Sequence, residues 1–487
     1  MASVMRTLLG TPDQTEPARP GWGPKRPPVQ NQVSGNDATM VRLFCVWVFL
    51  LCFQYQPVPM LQWNLGITMT PDRLAVGLLL LAYATRTADT RARPGSGTMA
   101  AVMLEPLMLL FALVGTVSWL VSGADAGNDK FRWLTTLFSL SFLPTVSYFV
   151  ARRLQYTRAM LKEILLFLAA LGVYLSFTSV CEHYEATSLV FPKYILDPTV
   201  GIQFGRSRGP FLDTIGNGGM LLVSFLVFTC LSSSLTGFKR ALTILLTLFV
   251  VPAIYFTETR MIWLGLAAVT AILLSLRTTM RRTAVIVGCA TLIGFLSGIG
   301  GKFSPYENTL FARRQHTVDN RIDNYEITWA MFKKNPVFGI GYGRFRSEWS
   351  NYFDEETALT TWNDGNHSTI MGILAELGII GFTTFVAILA CSVMVCITAY
   401  RHLREDRWEF ERRFVVVGLC AVISFFLLGL TNDLRSVAIV NVSAFWFVGI
   451  VSSLHSGYLA SMSARRWIGT QRVVAPKGAQ RGSVFSV

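Results

Sequence analysis

Charge is scarce in this 487-residue chain: 15% of its residues are Asp, Glu, Lys or Arg, against about 25% in soluble domains. That shortage excludes the string of soluble domains that the length would suggest at roughly 150 residues each. The eight cysteines form no C-x-x-C and no Cys/His spacing, so neither a disulfide framework nor a zinc site is supported. An apolar signal core is missing from the start of the chain. Residues 1–36 are polar and rich in Pro and Gly, and 1–38 reads as a disordered tail. What remains is apolar: 52% hydrophobic residues and a mean hydropathy of +0.45.

The apolar residues fall in blocks of the length that crosses a ~30 Å hydrocarbon layer as a helix. The expected spans are Met40–Tyr55, Leu74–Tyr83, Ala101–Val121, Trp133–Val150, Ile164–Val180, Gly218–Leu231, Ala241–Phe256, Ile262–Leu276 and Ala284–Ile299. After a long polar stretch come Ile379–Tyr400, Phe414–Leu430 and Ala438–Leu454. The fold class expected is therefore an all-α polytopic membrane protein with about twelve transmembrane helices and one large external loop. The membrane domain is expected over 39–458, the loop over 300–378 and a cytoplasmic tail over 459–487. The second span is the weakest, because Pro71, Asp72 and Arg73 crowd its start.

Net charge is +14, yet the basic residues form no surface stripe, and no nucleic-acid partner is expected. They cluster in alternate short loops: Arg86, Arg91 and Arg93; Arg152, Arg153, Arg158 and Lys162; Lys239 and Arg240; Arg277, Arg281 and Arg282; then Arg401 to Arg413. The positive-inside rule makes that set cytoplasmic, with both termini, and leaves the other loops outside.

Polar chemistry breaks the apolar pattern at four external places. Arg206 and Arg208 precede the sixth span, and Glu258 and Arg260 occupy the short turn between the seventh and eighth. The long loop carries Arg313, Arg314 and Arg321, and Asn366-His367 opens a helical stretch through Glu376, Gly378 and Gly381. Charges near membrane depth face a bundle interior or an aqueous cavity and mark function by default. Each has a plain structural alternative: Arg260 snorkelling to the interface, Arg208 as an ordinary loop arginine, His367 capping its helix. Asp354, Glu355 and Glu356 are consecutive and do not converge on one ion, so no metal site is assigned. Gly339, Gly341 and Gly343 lack the strand–turn–helix context of a nucleotide loop and read as a flexible turn.

Arginines bind phosphate through a bidentate fork, and a histidine accepts a hydroxyl proton near neutral pH. A sugar on a lipid pyrophosphate needs both kinds of group. Its leaving group is already a stable anion, so cations suffice to take up the developing charge. The constellation fits glycosyl transfer from a polyprenyl-pyrophosphate donor, with no cofactor required.

The order of the motifs resembles the O-antigen ligase and polysaccharide polymerase superfamily. Asn366-His367 through Glu376-Leu377-Gly378-Ile379-Ile380-Gly381 is similar to its histidine-led external helix ending in E-L-G-x-x-G. Asn320-Arg321 to Trp329, then Asn335-Pro336 to Phe345, is similar to its W…P-L-G-x-G-x-x-F segment. Arg208-Gly209-Pro210-Phe211 and Thr259-Arg260 resemble its two arginine motifs. The likeness covers roughly Arg206 to Phe382. It implies a bacterial inner-membrane, C-type glycosyltransferase-like protein, metal-independent and inverting, with its active site on the periplasmic face. By the same resemblance, Arg208, Arg260 and Arg321 hold the pyrophosphate of an undecaprenyl-linked glycan donor. His367 activates the hydroxyl of a glycan or lipid A-core acceptor, and Asn366, Glu376 and Gly378 support it. Ser368 stands where the family often has asparagine.

Ligation of O-antigen to lipid A-core is the first expectation, and polymerisation of repeat units uses the same chemistry. A multi-helix transporter or flippase is the alternative from another class, and the pseudo-repeat it would bring is not visible.

Overall fold

The structure is a computed structural model, and it describes residues 35–54, 63–64, 68–85, 98–122, 130–276, 278–296, 324–352 and 367–474. Apart from a two-residue antiparallel pair, Trp63–Asn64 with Thr68–Met69, its regular elements are helices. These are α1 (Gly35–Cys52), α2 (Pro71–Ala84), α3 (Met99–Val121), and α4, which runs from Lys130–Leu137 through a π turn at Phe138–Phe142 into Leu143–Arg152. They continue as α5 (Arg158–His183), α6 (Thr214–Ser234), α7 (Gly237–Tyr255), α8 (Arg260–Ser275), α9 (Met280–Leu296), α10 (324–334), α11 (Thr369–His402), α12 (Glu409–Thr431) and α13 (Ala438–Val474).

Each segment expected from the sequence overlaps one of these helices. Among the described residues, eight helices are long and apolar enough to cross a membrane, where the sequence led to about twelve. The four outside that set are the short ones: α2 has 14 residues, α8 has 16, α9 has 17 and α1 has 18, below the ~20 that a crossing takes. α1 begins at Gly35 and α13 runs to Val474, both beyond the limits expected for the membrane domain.

α6 is apolar all round and is buried along its whole length, the pattern of a central helix. It packs on α5, α7 and α12, while α13 lies along the second half of α4 and α11 along α3. Gly449 of α13 sits so close to α4 that a Cβ there would lie 2.8 Å from the Tyr148 carbonyl oxygen. α3, by contrast, turns Leu109, Leu113 and Leu120 outward, as a lipid-facing helix does.

Among the described residues, the basic loops gather at one end of the bundle; Arg86, Arg91, Arg93 and Arg277 lie outside them. Arg158 pairs with Glu411 (2.7 Å), Arg153 with Glu105 (2.5 Å) and Arg42 with Glu163 (3.2 Å). Arg413 Nη1 donates to Ser234 Oγ at 2.7 Å. The arginine loop before α6, the turn before α8 and the start of α11 share the opposite end.

Candidate active site

His367 sits half-buried immediately before the N-cap of α11. The cap is Ser368, whose hydroxyl accepts from Met371 N and donates to the Gly429 carbonyl, both at 3.3 Å. A serine hydroxyl satisfies an orphan helix N–H as well as an asparagine amide does, so the departure from the family pattern leaves the cap intact. Next to it, Thr369 N and Oγ1 both donate to the Asn432 carbonyl (3.1 and 2.8 Å), and Leu434 N donates back to Thr369 Oγ1 at 2.7 Å. The start of the histidine helix is thus stitched to the turn between α12 and α13.

Nine residues on, α11 breaks. Gly378 has φ 62° and ψ −160°, a region open essentially to glycine alone. A Cβ there would run into the Val337 carbonyl oxygen. The break admits residues 335–345, which lie against it as a tight turn. Ile340 N donates to the Ala375 carbonyl (2.9 Å), Gly341 N to Glu376 O (3.0 Å) and Ile379 N to Pro336 O (2.9 Å). Gly339, Gly341 and Gly343 all have positive φ. Far from loose, the glycine turn is held along its length, and a Cβ at Gly339 would collide with the Glu376 backbone.

Glu376 is fully buried and is the hub of this junction. Its carboxylate accepts from Gly343 N (3.0 Å), Phe345 N (3.2 Å) and Arg435 Nη1 (2.5 Å). Arg435, 1% exposed, also grips Asp433 through Nε (2.8 Å) and Nη2 (2.7 Å). Burial alone works against its charge, but the Asp433 and Glu376 carboxylates hold the guanidinium protonated well above its ordinary value. From the sequence, Arg435 is only the sparse charge of a short external loop. The signal for its role was the spacing Asp433-x-Arg435 opposite an otherwise uncompensated Glu376, and a buried carboxylate needs a partner.

The two arginine motifs meet in space. Ser207 N donates to the Phe256 carbonyl (3.1 Å), Arg206 pairs with Glu258 (3.8 Å), and Thr259 Oγ1 donates to Thr214 Oγ1 (2.9 Å). Thr214 Oγ1 in turn donates to Gln203 Oε1. Arg260 opens α8 with an exposed side chain. Arg208 is different: it is fully buried, and its guanidinium donates to the carbonyls of Val200 (2.6 Å), Ile195 (2.9 Å) and Asp197 (2.5 Å). Glu182 accepts from Arg208 N and Gly209 N at 3.1 and 3.0 Å. Burial pushes the Arg208 guanidinium below its ordinary value, with Glu182 and Asp197 opposing. Its Nη1 and Nη2 go into closing the 195–208 loop, while Nε lies 4.0 Å from the Glu182 carboxylate without a hydrogen bond.

The two halves touch through the start of α6. A Cβ on Gly216 would lie 3.4 Å from Val437 Cγ1, two residues past Arg435. Arg260, the Arg206–Arg208 loop, His367 and the Glu376–Arg435 pair therefore occupy one end of the bundle. Below them an apolar crevice between α6, α12 and α13 is lined by Gly219, Met220, Leu428, Val440 and Ser443. Arg321 and Asn366, expected to contribute, lie outside the described residues, as does Asp354–Glu356. At the basic end His402 and His455, which no motif had singled out, bond each other at 2.8 Å.

Residues 242–386 match the model of the O-antigen ligase family. Over this segment the chain is similar to the O-antigen ligases. The matched segment contains Arg260, Arg321, His367, Glu376 and Gly378 and leaves out Arg208 and Arg435. A 152-residue stretch is also 31% identical to myeloid-associated differentiation marker-like protein 2 of Bos taurus, covering 28% of this chain. The chain spans 45% of that relative's length, and no activity is carried over from it. The match and the apolar helices together support a polytopic membrane protein similar to the O-antigen ligases and polymerases.

Proposed function

We propose that this protein transfers a glycan from an undecaprenyl-pyrophosphate donor to an acceptor hydroxyl on the periplasmic face of a bacterial inner membrane, the acceptor being lipid A-core. One observation carries the reading: an exposed arginine, Arg260, and a half-buried histidine, His367, share one end of the bundle within the segment similar to the O-antigen ligases. His367 takes the proton of the acceptor hydroxyl, whose oxygen attacks the anomeric carbon. The bond to the pyrophosphate breaks with inversion, and the extra negative charge on the leaving polyprenyl pyrophosphate is met by Arg260, assisted by Arg321. No divalent ion is needed for a leaving group that is already an anion. Arg208 serves by fixing the loop that sets Arg206 against the Glu258–Arg260 turn, a role that its three carbonyl bonds favour over direct contact with the donor. The basic end then faces the cytoplasm, along with both termini.

Deleting the gene and complementing it with wild type or His367→Ala tests the reading. A ligase deletion leaves unmodified core lipopolysaccharide while long chains accumulate on the carrier. Core capped with a single repeat unit would instead identify a polymerase. A general base contributes ~10²–10⁴ in rate, so His367→Ala should fail to complement while still accumulating in the membrane. Full complementation by His367→Ala would refute the assigned role.

A further inference from the structure

The geometry points to Arg435 as a positioning residue that holds the His367 helix in register through a buried Glu376–Arg435–Asp433 chain. The inference rests on the transferase reading above. The half-helix 369–377 is tied at both ends to one turn. At its start, Thr369 bonds the Asn432 carbonyl and Leu434 N. At its end, Glu376 receives Arg435 Nη1 at 2.5 Å. Between these points lie two turns of helix, with His367 just ahead of the first. The same carboxylate fixes the glycine turn through Gly343 N and Phe345 N. Arg435 thus joins three segments distant in sequence: the histidine helix, the turn of the long loop and the α12–α13 connection.

A fork is required. Arg435 grips Asp433 with Nε and Nη2 and Glu376 with Nη1, and a lysine ammonium cannot reproduce that planar geometry. Removing Arg435 leaves Glu376 buried without its cation, whereas removing both charges relieves the penalty. That contrast separates positioning from mere stability.

The test uses the full-length protein in lipid nanodiscs, with undecaprenyl-pyrophosphate-linked O-antigen as donor and lipid A-core as acceptor. Arg435→Met should lower kcat about a hundredfold, the effect of a ~1 Å misplacement of a catalytic group, with donor KM little changed. Arg435→Lys should fall between it and wild type. Amide exchange should rise in 339–345 and 369–377 and stay unchanged in α6. The double variant Glu376→Gln/Arg435→Met should regain thermal stability and remain slow. If it regains wild-type turnover along with stability, Arg435 is structural and the proposal fails. Unchanged exchange of 369–377 in Arg435→Met overturns it independently of any activity. A wild-type protein that transfers nothing would instead sink the transferase reading, and the exchange measurement would still decide the role of Arg435.

Discussion

Replacing Gly378 by alanine should be one of the costliest single methyl additions near the site. At φ 62° and ψ −160°, an L-residue carries about 1–3 kcal/mol of backbone strain. The added Cβ would also strike the Val337 carbonyl oxygen and the Gly339 amide. Both are backbone atoms fixed by the bonds of Ile379 N to Pro336 O and Gly339 N to Asn335 O, so neither can swing aside. Overpacking of this kind adds about 1–3 kcal/mol, giving roughly 2–6 kcal/mol concentrated at the junction of the histidine helix and the glycine turn. The matched control is Gly77→Ala, where nothing lies within 4 Å of the new methyl and helix propensity favours alanine by ~0.5–1 kcal/mol. Both variants would be purified in detergent, and their thermal unfolding and limited proteolysis compared with wild type. Gly378→Ala should unfold at lower temperature and be cut faster around 335–345, while Gly77→Ala matches wild type. Equal stability and equal protection of the two variants would refute the argument that the break in α11 requires glycine.

Arg208→Ala should loosen the 195–208 loop, since it removes three carbonyl bonds from a buried guanidinium while Glu182 keeps its bonds from the backbone at 208 and 209; hydrogen bonds to a charged group contribute about 1.5–3 kcal/mol each. Faster proteolysis within 193–204 checks this, and Arg208→Lys should restore protection only in part. Arg260→Ala, at an exposed position, should change stability by less than ~0.5 kcal/mol while weakening donor use, seen as a raised donor KM. An unchanged KM would favour snorkelling instead. A cysteine placed at Thr199 should react with an impermeant maleimide added to intact cells and one at Arg404 should not; the reverse pattern would put the site in the cytoplasm.

Membrane class, the placement of each apolar helix and the candidate chemistry were legible in the residues, because these depend on local quantities. Twenty apolar residues need a bilayer or a buried core wherever they lie, and Asn366-His367 through Gly381 is a contiguous pattern. The alternation of basic loops likewise gathered Arg158, Arg153 and Arg413 at one end, where the structure finds them paired with Glu411, Glu105 and Ser234. Which helices fall short of a full crossing was less legible, since α2 and α8 are bounded by Pro71 and by the Glu258–Arg260 turn rather than by any loss of hydropathy. Which polar residues are buried and what they bond came from packing. Arg208 and Arg260 look alike in sequence, yet one is spent on three backbone carbonyls and the other is exposed. The glycine turn read as flexible because glycine permits freedom, but Ala375 and Glu376, some 35 residues downstream, hold it rigid. Arg435 carried no family motif, only Asp433 two residues before it. Its importance comes from a charge buried against Glu376 across 59 residues of chain, and burial is a property of packing that no local pattern encodes.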